Sequence, residues 1–341
     1  MQTILLTGAS GSVGYQTLKE LLKNKNEVEI KVFDIKTRET RKRLNKFKTE
    51  LEIIWGDISK TKDVEKAVKN TDIIIHTAAL IPPKADKLTK LAEKINVVGT
   101  KNIVDAINKF NSEAFLIYTS SISVYGDRIV NYEIKANDEI KPSPKDFYAI
   151  TKIKAENYIK TNTKNFTIFR LSAVMHPQMK LNPLFFHMPL NTSLEIVTTK
   201  DVAFALVQAT KKMDFLNETI FNLGGGKNCR ILYKNFLSEN YKRFGLGKLN
   251  FPKYAFAEKN FHCGYYADTE ILNNILNFQR DSLSDYLYEV ERSINSLKKR
   301  FSNLFKGLIQ KRLLQKSEPF QAFKNKNIEM INHFFINKAI N

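Results

Sequence analysis

A tyrosine and a lysine, Tyr148 and Lys152, stand four residues apart in the stretch YAITK, a spacing that places both on one face of a helix. Free tyrosine, with a pKa near ~10, is a poor base at neutral pH, but a neighbouring lysine cation stabilises the phenolate and lowers that pKa. Ser121, in YTSSISVYG, is predicted to end a strand and to orient a substrate oxygen beside Tyr148. These side chains suit carbonyl–alcohol interconversion with hydride passing to or from a nicotinamide. Taken alone, the pair is also consistent with a solvated stripe on an exposed helix.

A glycine-rich turn is the second chemical feature. Gly8, Gly11 and Gly14 stand in LLTGASGSVG, directly after an apolar run. Between a strand and a helix, such a turn offers bare N–H groups at the positive end of the helix, where a pyrophosphate binds. Asp34 follows the next apolar run, where an acidic residue accepts hydrogen bonds from the adenosine ribose. The pattern predicts a dinucleotide site, and the alternative is a tight turn without a ligand.

The type of dinucleotide is a separate question. The carboxylate of Asp34 repels a 2′-phosphate and so favours NAD. Lys36 and Arg38 follow closely and are near enough to reach such a phosphate, which leaves NADP as the alternative.

Further residues near the predicted strand ends are weaker candidates for a place in the cofactor site. Asp57, after the third apolar run, is predicted to cap a helix, to contact the adenine, or both. Ala78 and Ala79, after the fourth run, are small enough for backbone to lie flat on a cofactor. His76 is interpreted as a core histidine. No histidine or cysteine spacing suggests a metal site.

A doubly wound parallel sheet of the Rossmann type is the scaffold that brings such strand ends together. Over the first 175 residues, helical stretches alternate with apolar runs at Thr3–Thr7, Glu29–Phe33, Leu51–Trp55, Asp72–Thr77, Ala114–Thr119 and Phe166–Leu171. After residue 175 this alternation of strands and helices stops, beginning with a Pro-rich loop at 176–191. We therefore predict an α/β fold with three parts: a dinucleotide-binding domain at 1–175, a smaller substrate-binding region at 176–296 and a helical basic tail at 297–341.

Composition limits the class of protein. The 341 residues are 43% hydrophobic with a net charge of +19, which excludes a disordered chain. No apolar run approaches the ~18 residues of a membrane span, the start MQTILLTG does not look like a signal peptide, and the cysteines are few, so we expect a cytoplasmic protein. Lysine is abundant throughout and no nucleic-acid motif accompanies it. The expected partner is a small-molecule substrate rather than nucleic acid.

Taken together, the motifs resemble the extended short-chain dehydrogenase/reductase family, the NAD-dependent epimerase/dehydratase group, over roughly residues 1–290. Besides those already quoted, the motifs are GDI at 56–58, HTAA at 76–79, NVVGT at 96–100, FRLSAV at 169–174 and FNLGGG at 221–226. The resemblance implies that Tyr148 is the acid/base, that Lys152 is its partner and a ribose ligand, and that Ser121 orients the substrate. Asn96 is implied to support the active-site helix and a proton-relay water. The implied cofactor contacts are Gly8, Ser10, Gly11, Ser12, Val13, Gly14, Asp34, Asp57, Ile58, Thr77, Ala78, Ala79, Tyr148, Lys152 and Val174.

The chain also departs from the family pattern. Met175 and His176 replace a Tyr-Gly pair at the edge of the substrate pocket. Ile122 and Ser123 stand where family dehydratases carry Asp-Glu, which disfavours dehydration. Only about 30 residues separate Arg170 from Asp201, a short segment for gripping a nucleotide diphosphate.

These features predict an NAD(P)-dependent oxidoreductase or epimerase that acts at a secondary alcohol or ketone. The family favours a nucleotide sugar as substrate, whereas the short segment favours a smaller or different alcohol. A catalytically silent dinucleotide-binding protein, a sensor or an assembly factor, is the alternative. Family members often dimerise through the helices that correspond to 88–109 and 147–161, so a homodimer is also expected.

A basic segment lies beyond the resemblance. Residues 297–316 carry seven lysines and arginines and no acid, with an apolar stripe at helical spacing at Leu297, Phe301, Leu304, Phe305, Leu308, Ile309 and Leu313. Such a helix can make a weak peripheral contact with an anionic membrane. The alternative is that the stripe covers the domain's own core or a second subunit. Gly307 weakens the helix by about 1 kcal/mol relative to alanine.

Overall fold

The computed structural model describes residues 1–178 and 183–336. Part of the predicted Pro-rich loop, 179–182, and the last residues of the predicted tail, 337–341, lie outside the described residues. Within that part of the chain the strands are β1 Gln2–Thr7, β2 Val28–Asp34, β3 Glu52–Trp55, β4 Ile73–His76, β5 Phe115–Ser121, β6 Glu133–Ile134, β7 Phe166–Leu171, β8 Ala173–Met175, β9 Ser193–Thr198, β10 Thr219–Leu223, β11 Arg230–Leu232 and β12 Tyr265–Tyr266.

Seven of these strands form one parallel sheet in the order β10-β7-β5-β4-β1-β2-β3. The strands are apolar along nearly their whole length because helices cover both faces of the sheet. The Rossmann-type fold predicted from the alternating pattern is confirmed. The six predicted runs match six strands, and β10 adds a seventh at the edge beside β7. The predicted boundary at residue 175 therefore does not separate the sheet from the rest of the chain, because β10 returns to the sheet from beyond that boundary.

The helices surround the two sheet faces and continue to the C-terminus. They are α1 Ser12–Leu21, α2 Arg38–Leu44, α3 Thr61–Val68, α4 Lys84–Lys87, α5 Thr89–Ala92, α6 Gly99–Phe110, α7 Phe147–Asn162, α8 Thr199–Ala209, α9 Met213–Leu216, α10 Tyr233–Arg243, α11 Thr269–Leu276, α12 Leu283–Ser293, α13 Ser296–Leu304, α14 Lys306–Leu314, α15 Glu318–Lys324 and α16 Ile328–Phe334. A π-helical segment, Glu93–Val98, joins α5 to α6, so the helix expected over 88–109 is not uniform. None of the helices within the described residues is long and apolar enough to cross a bilayer.

A second apolar cluster lies beside the sheet. The short strands β8, β9 and β11 form a three-stranded sheet, and α10 and α12 pack beside it through residues such as Phe236 and Tyr286, whose rings stack with their centroids 5.9 Å apart. Within the predicted loop, Pro183–Phe186 forms a short 3-10 helix, and Phe186 is fully buried in this cluster. This cluster forms much of the wall of the apolar cavity described below.

The basic tail predicted over 297–341 is helical where it is described, but it consists of several helices, part of which join the folded body. Phe305, with φ −104° and ψ 17°, separates α13 from α14. The helices α15 and α16 pack on Tyr254 and Ala257 through a cluster that includes Ile331 and Phe334. Residues 317–335 are thus part of the folded body, because their aromatic side chains have a core to enter.

A buried ion pair joins α7 to the sheet. Arg170 of β7 donates two hydrogen bonds to Glu156 of α7, at 3.1 and 2.7 Å, and both side chains are fully buried. Ser120 of β5 also donates to Glu156, and Arg170 donates to Tyr125 at 2.7 Å. The network satisfies both charges inside the protein.

We expect Glu156→Gln to lower the free energy of unfolding by about 3–5 kcal/mol, because the guanidinium of Arg170 is left buried without a counter-charge. Urea unfolding of the full chain measures this. The control, Glu20→Gln, breaks an exposed pair with Lys23 and should change stability by no more than about 1 kcal/mol. Equal effects of the two variants would contradict this account of the buried pair.

Candidate active site

The glycine-rich turn is tightly packed against the end of β4. Gly8 has φ +72°, and a Cβ on it would lie 2.7 Å from the Cα of Ala78. A Cβ on Gly14 would lie 2.2 Å from the carbonyl oxygen of Gly8. Helix α1 begins directly after Gly11, which has no side chain to cover the first N–H groups. The turn therefore has the shape and the exposed donors of a phosphate-binding site.

Asp34 ends β2 beside this turn. Its carboxylate accepts hydrogen bonds from the backbone N–H of Ser10 at 2.7 Å and of Ile35 at 2.8 Å. Burial raises the pKa of Asp34, although these bonds and the charge of Arg43 oppose the rise. Each carboxylate oxygen retains a second lone pair for a ligand.

A cavity of about 500 Å³ opens between the turn and the strand ends. Its lining includes most of the cofactor contacts that the resemblance implies, namely Gly8, Ser10, Gly11, Asp34, Asp57, Ile58, Thr77, Ala78 and Ala79. Val13 packs into the core instead, and Ser12 and Val174 line a neighbouring cavity. Most of the predicted residues thus come together around one cavity. Val13 and Gly14 support the turn by packing against the core and against Gly8.

Asp57 does not cap a helix. Its side chain accepts hydrogen bonds from the N–H and hydroxyl of Ser59, both at 2.9 Å, and the N-cap of α3 is Lys60. The predicted capping role is wrong because the chain makes one more turn before α3 begins. Asp57 still lines the cavity, so the adenine contact stays a prediction.

His76 occupies the core, as interpreted from the sequence. Its ring nitrogens lie 2.7 Å from the hydroxyl of Thr7 and 3.0 Å from that of Thr100. Burial, and secondly the charge of Lys152, lower the pKa of His76 to about 3. The ring is therefore neutral at physiological pH.

Arg43 is a residue that sequence reasoning missed. Lys36 and Arg38 are exposed, whereas the guanidinium carbon of Arg43 lies 4.1 Å from the ring centroid of Tyr15. The charge of Arg43 lowers the pKa of Asp34. This proximity depends on how α2 lies beside α1, which residue spacing does not specify.

Tyr148 lies in the first turn of α7, close to Ser121 at the end of β5. A hydrogen bond with Ser121 lowers the pKa of Tyr148, but burial has the larger effect, and the nearby charges of Asp146 and Asp86 add to it. The net result is a pKa above the ordinary value of tyrosine. The phenol is therefore protonated at neutral pH and is suited to donate a proton.

The pKa of Tyr148 is raised rather than lowered in this structure, contrary to the sequence-based expectation, although Lys152 lies nearby. Its ammonium donates to the carbonyl of Thr119 at 2.8 Å and to the hydroxyl of Tyr118 at 3.2 Å, and it lies 5.7 Å from the Tyr148 ring centroid. Burial lowers the pKa of Lys152 to about 7, against the charge of Glu156, which raises it. Lys152 therefore gives up its proton more readily than an ordinary lysine.

Asn96 connects α7 to the strand ends. It lies in the π-helical segment, accepts from the N–H of Leu80 at 2.7 Å, and donates to Leu80 and to Thr151, each at 3.0 Å. Thr151 is on α7, between Tyr148 and Lys152. This placement is consistent with the supporting role that the resemblance implies, and π-helical turns often occur at functional sites.

An apolar cavity of about 320 Å³ includes Tyr148 and Ser121 in its lining. Most of the lining side chains are hydrocarbon or aromatic: Pro82, Ile122, Ala173, Val174, Met175, Pro177, Leu184, Phe185, Met188, Leu194, Phe236, Leu237, Phe244 and Phe261. Met175 lines this cavity, in agreement with its predicted place at the pocket edge, while His176 lines the neighbouring one.

His262 is the second residue that sequence reasoning missed. It lines the apolar cavity, and its Nδ1 lies 2.8 Å from a carboxylate oxygen of Asp146. Asp146 also caps α7 by accepting from the N–H of Ala149 at 2.9 Å. No motif marks His262, because more than one hundred residues separate it from Asp146.

Comparison with known sequences agrees with this site. Residues 5–174 match the model of the 3-beta hydroxysteroid dehydrogenase/isomerase family. The chain is 30% identical to 3 beta-hydroxysteroid dehydrogenase type 7 of Mus musculus over 139 residues, 40% of this chain and 37% of that protein. It is 32% identical to the decarboxylating sterol-4-alpha-carboxylate 3-dehydrogenase of Candida albicans over 170 residues, 47% of this chain and 45% of that protein. The matches span less than half the length of these relatives.

Solved structures extend the likeness to most of the chain. UDP-glucuronic acid 4-epimerase from Bacillus cereus, in complex with UDP-glucuronic acid and NAD, superposes with a TM-score of 0.71 at 20% identity and covers 87% of this chain and 100% of its own. dTDP-glucose 4,6-dehydratase from Bacillus anthracis, in complex with NAD, gives 0.70 at 16% identity, with 88% and 99% covered. At these identities the likeness concerns the fold.

The fold and the site define a Rossmann-type protein that carries a glycine-rich turn and a Tyr-x-x-x-Lys helix beside it. Over residues 5–174 the match to the 3-beta hydroxysteroid dehydrogenase/isomerase family agrees with the resemblance to the extended short-chain dehydrogenase/reductase family.

The pKa of Lys152 makes a prediction about stability. The pKa of Lys152 is about 7 in the folded protein and 10.5 in an unperturbed lysine. Between these two pH values the unfolded chain binds more protons than the folded one, so the contribution of Lys152 to stability rises with pH. We expect the free energy of unfolding of wild type, minus that of Lys152→Met, to increase from pH 7 to pH 9. Urea unfolding at several pH values measures this. The control is Lys154→Met on the same helix, whose side chain is half exposed, and its difference from wild type should stay constant. A constant difference for Lys152→Met would contradict the lowered pKa.

Proposed function

We propose that this protein is an NAD(H)-dependent oxidoreductase that interconverts a secondary alcohol and a ketone on an apolar, hydrocarbon-rich substrate. The observation that carries the proposal is the placement of the hydrogen-bonded hydroxyls of Tyr148 and Ser121 in the wall of a cavity that is otherwise mostly hydrocarbon. These two groups can hold one oxygen of a substrate whose remaining atoms contact apolar side chains.

The cavity at the glycine-rich turn fits a dinucleotide. Residues 8–14 offer close backbone approach and bare N–H donors, and Asp34 offers acceptor oxygens to the ribose. The bound nicotinamide would accept or donate the hydride. Asp34 favours NAD over NADP, and Arg43, whose charge acts on Asp34, would weaken this preference. The two cofactor-bearing neighbours support the choice of NAD.

The protein's own side chains would supply proton transfer and orientation. Protonated Tyr148 donates to the substrate oxygen during reduction and accepts the proton back during oxidation. Ser121 holds the same oxygen, and Lys152, with its pKa of about 7, can exchange a proton close to Tyr148. Asn96 keeps α7 in place through Thr151.

The cavity lining favours an apolar substrate over a nucleotide sugar. Among the described residues that line it there is no lysine or arginine, the residues that most often hold a diphosphate. The two relatives named above are dehydrogenases whose names specify hydroxysteroid and sterol carboxylate substrates. A sterol-like alcohol is therefore the substrate class that we propose.

Dehydration is disfavoured within this proposal. Ile122 and Ser123 follow Ser121, and Ile122 lines the cavity where a dehydratase of the family carries a carboxylic acid. The catalytically silent alternative is disfavoured because the chain retains both Tyr148 and Lys152.

A homodimer through α6 and α7 remains part of the proposal. Three exposed apolar residues lie on or next to these helices: Leu91 of α5, Val98 of the π-helical segment and Ile150 of α7. Covering them with a second copy would bury hydrocarbon that otherwise contacts water.

We expect the purified protein to reduce NAD in the presence of a 3β-hydroxysteroid, because the apolar cavity holds the rings and the two hydroxyls hold the alcohol oxygen. The measurement is the absorbance of the reduced nicotinamide. UDP-glucuronic acid serves as the comparison and should give neither reduced cofactor nor an epimerised product. Epimerisation of the sugar without turnover of the steroid would contradict the apolar substrate.

Tyr148→Phe is expected to lower kcat by about 10²–10⁴-fold, because it removes the proton donor, while changing the Kd for NAD far less. Steady-state kinetics and cofactor titration measure the two effects. The control is Tyr288→Phe, which changes an exposed tyrosine and should leave both constants as in wild type. Turnover by Tyr148→Phe at the wild-type rate would support a silent dinucleotide-binding protein or a different acid.

Asp34→Asn is expected to weaken NAD binding by about tenfold and to reduce the preference for NAD over NADP, because a charge-assisted hydrogen bond to the ribose is lost. The asparagine keeps one acceptor oxygen for the N–H of Ser10. Fluorescence titration with both cofactors measures this, and Asp34→Asn/Arg43→Gln should lose the gain in NADP binding. Unchanged affinity for NAD would remove Asp34 from the ribose site.

A further inference from the structure

The basic segment identified from the sequence leaves its apolar residues in solvent. Leu297, Phe301 and Leu304 of α13 are 70%, 61% and 77% exposed, and Leu308 of α14 is 61% exposed. The first three stand at i, i+4 and i+7, which places them on one face of the helix. The alternative that this stripe covers the domain's own core is therefore wrong for these four residues.

Both ends of the segment are nevertheless fixed to the folded body. Ile294, before α13, and Leu313 and Leu314, at the end of α14, pack against the cluster beside the small sheet. Gln310 donates to the carbonyls of Leu246 and Lys248 at 3.0 and 3.1 Å. The exposed stripe is thus presented by two anchored helices.

The charged residues within the segment itself are all basic. Between positions 297 and 316 the basic residues are Lys298, Lys299, Arg300, Lys306, Lys311, Arg312 and Lys316, and there is no acid. Within the described part of the chain, the one carboxylate that pairs with any of them is Glu291, which binds Lys299 at 3.1 Å. Six cations are exposed beside an exposed apolar face.

We propose that α13 and α14 form a docking surface for an anionic lipid bilayer, with Leu297, Phe301, Leu304 and Leu308 entering the boundary between headgroups and acyl chains. An apolar stripe flanked by lysine and arginine is the combination that binds at such an interface. Apolar side chains in contact with water are unfavourable in free energy. Docking on a bilayer would remove them from water while the cations contact the headgroups.

The docking surface lies next to the wall of the apolar cavity. A Cβ on Gly245 would lie 2.5 Å from the carbonyl oxygen of Lys299, so α13 contacts the turn that follows α10. The cavity is lined by four residues of α10, Tyr233, Phe236, Leu237 and Asn240, and by Phe244 directly after it. Docking would therefore place the bilayer near the cavity of the proposed sterol-like substrate, although the docking itself does not depend on that substrate.

Co-sedimentation of the full chain with vesicles tests the proposal. We expect binding to vesicles of phosphatidylcholine mixed with phosphatidylserine, weak binding to phosphatidylcholine alone, and release as salt is raised. Phe301→Ser/Leu304→Ser should weaken binding about tenfold or more through lost apolar burial. Lys298→Gln/Arg300→Gln should weaken it by a similar factor through lost attraction to the headgroups.

The matched control is Phe215→Ser/Ile271→Ser, which removes two exposed apolar residues, 69% and 57% exposed, outside the docking surface. This variant should bind like wild type, and thermal unfolding should be similar for all variants because the changed side chains are exposed. Analytical ultracentrifugation without lipid distinguishes a second copy as the occupant. The proposal is overturned if wild type stays in the supernatant, if the control loses binding equally, or if Phe301→Ser/Leu304→Ser dissociates an oligomer instead of releasing vesicles.

Discussion

The position of α7 against the sheet depends on the buried contact between Glu156 and Arg170. Tyr148, Lys152 and Glu156 follow one another at four-residue intervals, so they share the face of α7 that is turned toward the strands. That face is polar yet buried, and it stays there because Arg170, Ser120 and the Thr119 carbonyl satisfy its charged groups. The ion pair thus holds Tyr148 beside Ser121 together with the hydrogen bond from Asn96 to Thr151.

Burial also determines the protonation states of the site. It raises the pKa of Tyr148 and lowers that of Lys152, because the charged form of each side chain is costly in this interior. The phenol therefore holds its proton at neutral pH, and the lysine loses its proton more readily than a lysine in water.

The apolar cavity and the exposed stripe are connected through α10. Residues of α10 and of the 3-10 helix at Pro183–Phe186 line the cavity beside Tyr148, and α13 contacts the turn that follows α10. The helices α15 and α16 pack against Tyr254 and Ala257. The segment beyond residue 296 therefore contributes to the architecture around the cavity and is not an independent tail.

The sequence determined the parallel sheet, the glycine-rich turn and the pairing of Tyr148 with Ser121, because these depend on local periodicity, on chain order and on motifs that are short in sequence. The tertiary structure decided the rest. His262 reaches Asp146, and Arg43 reaches the surroundings of Asp34, only through packing between distant elements. The pKa of Lys152 depends on desolvation, which a sequence pattern does not encode. The apolar stripe of α13 is visible in the sequence as a periodic pattern, but that pattern is the same for a buried and for an exposed face. Only the fold shows that nothing within the described chain covers this stripe.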